Sequence, residues 1–165
     1  MCLKSTGKLS MRIEFIPVDR LTACPHNARH HPPKQIDQLV ASIKEFGFNV
    51  PVLVDGDDVL IAGHGRVEAA QAAGLTEVPT IRVSHLSDTQ RRAFMLADNR
   101  IQLNARWDEA LLADELEFLT TQDVLVDTLG FEPIELDALL VDPVDIEEEE
   151  PELPPLPDVP DTQAG

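Results

Sequence analysis

Residues 60–74 read LIAGHGRVEAAQAAG, and the fold turns on how that stretch is read. An apolar run from Val59 to Ile61 has the character of a short buried strand. Gly63-His64-Gly65-Arg66 follows, and then an alanine-rich segment of high helix propensity that Gly74 closes. A strand, two glycines, a basic side chain and a helix start together present bare amides and a positive dipole end to an anion. On four residues alone, a tight strand-to-helix turn with a solvent-facing arginine is the plainer reading, because glycine turns before helices are common.

Working outward, the chain alternates between strand and helix signals. Arg12 to Val18 predicts a strand, and CPHNARHHPP (residues 24–33) a loop. Lys34 to Phe46 predicts an amphipathic helix with Ile36, Leu39, Val40, Ile43 and Phe46 on one stripe and Gly47 as its stop. Val50 to Val54, Asp55-Gly56-Asp57 and Val59 to Ile61 predict a hairpin with a DG turn. Val78 to Val83 predicts a further strand, with Pro79 suggesting an edge position.

Ser87 and Gln90 fit a capping box opening the helix that carries RRAFMLADNRIQ. Asp108 caps the next predicted helix, whose Leu111, Leu112, Leu116 and Leu119 form its apolar face. A short helix over Pro133 to Leu140 ends the expected globule.

The net charge of −17 misleads unless the chain is divided. All 13 Lys and Arg lie at or before Arg106, against 11 acidic residues there, a balance of +2; from Trp107 onward there are 19 acidic residues and no basic one. The first two thirds are therefore free of any electrostatic objection to a polyanion. Beyond Asp142 the run DIEEEEPELPPLPDVPDTQAG is too acidic and proline-rich to bury a core, so residues 142–165 are expected to be a disordered linker or tail, and residues 1–10 a disordered start. No apolar run reaches the length of a membrane span, and there is no signal-peptide core, so a cytoplasmic setting is expected. Cys2 and Cys24 have no metal-type or CxxC spacing and are expected to be reduced thiols.

Three clusters carry the candidate chemistry. In GHGR, Arg66 offers a planar fork to phosphate oxygens. Asp98-Asn99-Arg100 offers two hard oxygen donors suited to Mg²⁺ beside phosphates, or simply a polar helix face. His26 to His31 offers a phosphate or base clamp; the spacing of its three histidines matches no zinc motif.

Order and spacing resemble a known family. PHNARHH, LIAGHGRVEAAQAAG and LADNRIQLNARWDEALLADEL with the later LGF resemble the N-terminal domain of the ParB and sulfiredoxin superfamily, from about Ile13 to Leu140. The similarity is greatest to the version found ahead of DNA methyltransferase domains in bacterial and phage proteins. The resemblance implies an α/β (α+β) fold with a small mixed sheet, a nucleotide-binding domain over residues 11–104, and a helical extension over 105–141 packed on it.

It further implies a pocket for a nucleoside triphosphate, CTP or ATP, with Mg²⁺. Carried over, Gly63, His64, Gly65 and Arg66 become the phosphate loop and Arg29 a further clamp. Asn99 becomes a phosphate contact and, with Asp98, a Mg²⁺ ligand. The implied setting is bacterial or phage DNA modification or partition, with a DNA methyltransferase or DNA-bound partner, a homodimer among the possible assemblies, and room for weak NTPase activity.

The departures from the family's pattern are equally specific. His64-Gly65 stands where ParB has Glu-Arg, and Gln102 where ParB's third box closes with Arg. A sulfiredoxin's reactive cysteine is absent at His64, which excludes that activity. No helix-turn-helix segment or methyltransferase motif follows, so sequence-specific DNA binding and methyl transfer are not expected of this chain, which reads as stand-alone or truncated. Two other classes stay open: a phosphoryl-transfer enzyme (nuclease or kinase) with His64 or Asp98 as its base, and a non-catalytic interaction module. Arg66 is expected at the pocket mouth, contributing under about 0.5 kcal/mol to stability, and Arg82 is expected to tolerate alanine.

Overall fold

The computed structural model describes residues 11–140 apart from Asp123. The expected disordered segments at 1–10 and 142–165 lie outside the described residues.

Four strands form one mixed sheet in the order β1-β4-β2-β3. Strand β1 is Ile13–Pro17, β2 is Val52–Val54, β3 is Leu60–Ala62 and β4 is Glu77–Arg82. β4 pairs antiparallel with β1 (Phe15 opposite Pro79) and parallel with β2 (Val52 opposite Thr80), and β2 pairs antiparallel with β3. Helix α1 spans Pro33–Phe46, α2 His64–Ala72, α3 Asp88–Ile101, α4 Glu109–Thr121 and α5 Pro133–Leu140. This is the α+β mixed-sheet class that the sequence implies.

One sheet face is closed by α2, and α1 packs across α2 from outside. Ile16, Val52, Val54, Leu60 and Val78 meet Val67 and Ala70 there, all buried. The small side chains of Ala69 and Ala70, both 0% exposed, let α2 approach sheet and helix together. The second face is covered over β3 by α3, where Ile61, Val83 and Met95 are buried. Helix α3 begins with the expected capping box: the Ser87 hydroxyl accepts from Gln90 N–H, and the Gln90 side chain accepts from Ser87 N–H. Asp108 caps α4 as expected.

The segment after Asn104 joins the rest through the turn ahead of α5. Gln38 of α1 donates to the Gly130 carbonyl at 3.1 Å, and Lys34 pairs with Glu132. Helices α4 and α5 pack on each other, with Leu116 and Leu136 buried.

Three expectations are corrected. Pro79 does not mark an edge, because β4 is an interior strand. Val83 N–H donates to the Val54 carbonyl, so by alternation the missing N–H of Pro79 faces β2 below its first paired residue, Val52, where no ladder bond is required. The hairpin does not close on a two-residue DG turn. Asp55 N–H donates to the Val59 carbonyl across a longer loop, and the positive φ of 61° falls on Asp58, not on Gly56. Leu111 is 58% exposed and does not belong to the packed face of α4, whereas Leu116 is 1% exposed.

Candidate functional site

The strand-to-helix junction depends on Gly63. Its φ of 96° turns the chain from β3 directly into α2, and a Cβ there would stand 2.7 Å from Val52 Cγ1. The first intrahelical bond runs from Val67 N–H to the Gly63 carbonyl at 3.0 Å, and no side chain caps the helix. The amides of His64, Gly65 and Arg66 consequently have no hydrogen-bond partner among the described residues. These are the donors that a helix start leaves open, at the positive end of its dipole.

His64 is buried at this junction, and its Nε2 accepts the Cys24 N–H at 3.3 Å, which puts the ring proton on Nδ1. Burial, reinforced by the nearby His31 and opposed by Glu68, holds its pKa below the usual 6.5. It is a neutral hydrogen-bonding ring whose lone pair is already in use.

Arg66 folds back over the start of α2. Its Nη1 donates to the Val50 carbonyl at 3.0 Å, and its Nη2 lies 3.1 Å from where a Cβ on Gly63 would stand. Desolvation lowers its pKa, and the field of Asp98 on α3 opposes that shift. The guanidinium is therefore half-buried and still charged.

The loop ahead of α1 is shaped by Asn27, whose side chain accepts from Arg29 N–H at 3.1 Å and donates to the Arg29 carbonyl at 3.2 Å. So braced, Arg29 reaches α3 and donates to Asn99 Oδ1 at 3.0 Å, while Asn99 Nδ2 donates to the Met95 carbonyl at 2.8 Å. Arg29 and Asn99, 70 residues apart, are brought together; the oxygen of Asn99 is already engaged. Asp98 is half-buried and makes no hydrogen bond among the described residues.

The three loop histidines diverge. His26 contacts Arg92 at 2.8 Å, His30 is exposed, and His31 Nδ1 lies 2.9 Å from Gln35 Oε1. No group of three metal-binding side chains occurs among the described residues. A cavity of about 340 Å³ lies beside Arg29, Asn99 and Arg100, walled by Leu96 and Leu103, and a smaller one of about 220 Å³ beside Cys24, His26 and Arg92. The GHGR residues line neither.

Sequence reasoning missed an ion-pair cluster at the β2–β3 turn. Asp55 is 8% exposed; its Oδ1 accepts from Asp57 and Val59 N–H, and Arg91 binds its other oxygen. Arg82 and Arg20 both reach Asp58, at 2.7 and 2.6 Å, and hold its pKa below the usual carboxylate value. Arg82 is thus a structural hub, not the dispensable residue expected. The only local signal was the acidic run DGDD.

These features define a small α+β domain with an anion-receptive helix start over which Arg66 folds, and a separate Arg29–Asn99 contact on α3. The ParB N-terminal domain family matches residues 4–100, and the chain belongs to that family. It is 45% identical over 82 residues to the ParB-like nuclease domain-containing protein YnaK of Escherichia coli K12, covering 50% of this chain and 94% of that protein. It is 37% identical over 91 residues to the probable chromosome 2-partitioning protein ParB of Deinococcus radiodurans, covering 53% of this chain and 31% of that protein. The chain thus spans nearly all of the first relative and about a third of the second. Among solved structures, a C-terminally truncated chromosome-partitioning ParB of Caulobacter crescentus complexed with CTP-γ-S aligns with a TM-score of 0.61 at 24% identity, covering 72% of this chain and 68% of that one. That likeness establishes the shared fold.

Proposed function

We propose that the domain binds the phosphates of a nucleoside triphosphate at the start of α2, within a bacterial or phage DNA-modification or partition system. The observation that carries this reading is the set of three open amides at His64, Gly65 and Arg66, with the Arg66 guanidinium folded over the same helix start. Arg29 supplies a second cation once its contact with Asn99 rearranges. The CTP-γ-S complex of the Caulobacter protein supports a nucleotide as the anion.

The donor set fits a Mg²⁺ ion that arrives with the nucleotide. Asp98, which makes no hydrogen bond among the described residues, is a carboxylate whose field reaches Arg66, and Asn99 Oδ1 accepts one hydrogen bond from Arg29 and keeps a second lone pair. Mg²⁺ of this kind takes one or two protein carboxylates and completes its shell with phosphate oxygens and water. Its chemistry there would be charge neutralisation.

The neutral, already hydrogen-bonded His64 favours binding over base-catalysed phosphoryl transfer, and any NTP hydrolysis should be slow. A DNA methyltransferase or a second copy of the chain is the partner class we infer.

The test is a panel of CTP, ATP, GTP, UTP and inorganic triphosphate, with and without Mg²⁺, followed by calorimetry and thermal shift. A ligand at a hundred times its Kd adds about 2.7 kcal/mol to stability. One or more triphosphates should bind, and absence of binding by all of them at millimolar concentration would overturn the assignment.

A further inference from the structure

Gly65 lies in the first turn of α2, buried, at a position where the helical backbone does not require glycine. What requires it is His31. A Cβ on Gly65 would meet His31 Nδ1 at 2.9 Å and Cε1 and Cγ at 3.1 Å, so the imidazole lies flat on the backbone beside the open amides. His31 Nδ1 faces the carbonyl oxygen of the Gln35 side chain at 2.9 Å and must donate to it. Only Nε2 is left to serve an outside partner. The ring fills the space that a side chain at position 65 would take.

We propose that His31 is a second protonatable ligand of the anion at the start of α2, engaging it through Nε2–H, so that anion binding takes up a proton. This rests on the phosphate-binding reading above.

The physical argument is linkage. The positive end of the α2 dipole and the neighbouring amides set a positive field at the helix start. A bound phosphate reverses that field and favours the imidazolium, which then donates a charge-assisted hydrogen bond. The groups around the ring are few. On α1, Gln35 is uncharged and Lys34 is paired with Glu132. On α2 stand His64, held neutral by burial, Glu68 one turn further on and Arg66, whose guanidinium is turned to Val50; Asp98 of α3 lies beyond it.

The experiment measures Kd for inorganic triphosphate and for the tightest nucleotide at pH 5.5 to 8.5, in wild type and in His31→Gln. Calorimetry in two buffers of different ionisation enthalpy gives the proton count. Wild type should take up a proton near neutral pH, with affinity tightening by up to about tenfold per pH unit relative to the variant. His31→Gln should lose that uptake, and its affinity should match wild type only at high pH. Titration of the ligand itself is common to both proteins and cancels in the ratio. If wild type binds and His31→Gln shows the same Kd and the same proton count, the role of His31 is refuted while the phosphate site stands. If neither binds at any pH, both readings fall. Gly65→Ala gives a second test: a folded variant with its ring displaced should also lose the proton uptake, and retained uptake would refute the role.

Discussion

Arg82 meets Asp58 at 2.7 Å while its other terminal nitrogen holds the carbonyls of Asp55 and Gly56 at 2.6 and 3.1 Å. One guanidinium from an interior strand thereby closes the β2–β3 turn, and it keeps Asp58 in its left-handed conformation. Arg82→Ala should destabilise the fold by about 1.5–3 kcal/mol, since it removes charge-assisted bonds and leaves two carbonyls to find water. Chemical denaturation measures this. A loss under about 0.5 kcal/mol would show that the turn holds without it.

How much of this was readable in advance depends on the range of each interaction. The Ser87–Gln90 capping box and the Gly63 helix start are local, and both appear where sequence places them. The neighbours of β4 and the clasp between Arg82 and Asp58 depend on pairing between segments about 20 to 70 residues apart, which periodicity does not encode. The same holds for the site. GHGR is local and legible, whereas the fit of His31 against Gly65 and the reach of Arg29 to Asn99 exist only once α1, α2 and α3 are assembled.

The burial of His64 predicts a pH response. Its pKa in the folded state lies below 6.5, so between the two values the unfolded chain binds more protons. The corresponding stability is fully present above about pH 6.5 and is lost as pH falls toward the folded pKa. Thermal unfolding of wild type and His64→Gln between pH 7.5 and 5 should show the variant's curve flatter, because glutamine can still accept the Cys24 N–H but does not titrate. Parallel curves would mean that the ring is free to protonate in place.

Helix α4 is anchored by Leu116 and not by Leu111. Leu116→Ala should cost about 2–5 kcal/mol as a core truncation, and half-buried Leu112→Ala less. Leu111→Ala should fall within about 0.5 kcal/mol of wild type. Equal losses at 111 and 116 would mean that a different face of α4 is packed.

Gly63→Ala should be among the most damaging single changes in the chain. The alanine would have to hold a φ of 96°, and its methyl would stand 2.7 Å from Cγ1 of the fully buried Val52. Left-handed strain and overpacking each cost about 1–3 kcal/mol. Gly74→Ala has a comparable φ of 77° but meets nothing within 4 Å, so it isolates the strain and should cost clearly less. Should the two variants melt together, Val52 yields and the junction is looser than its geometry suggests.

Arg66 separates binding from folding. If phosphates sit at the start of α2, Arg66→Ala removes the guanidinium folded over that start and should weaken triphosphate binding by about 1.5–3 kcal/mol, roughly ten- to two-hundred-fold. The bond to the Val50 carbonyl raises the expected stability cost from the sequence-based figure of under about 0.5 to about 1 kcal/mol, so affinities must be compared where both proteins are folded. Arg66→Lys keeps the charge and loses the planar fork, and should recover only part of the affinity. Because Arg82 is structural, the control is Arg106→Ala: Arg106 is exposed and makes no hydrogen bond or ion pair among the described residues, so this variant should bind as wild type does. Wild-type affinity in Arg66→Ala, measured against both inorganic triphosphate and the preferred nucleotide, would remove the α2 start as the anion site. Arg29, its partner Asn99 and the cavity of about 340 Å³ beside them would then be the place to look.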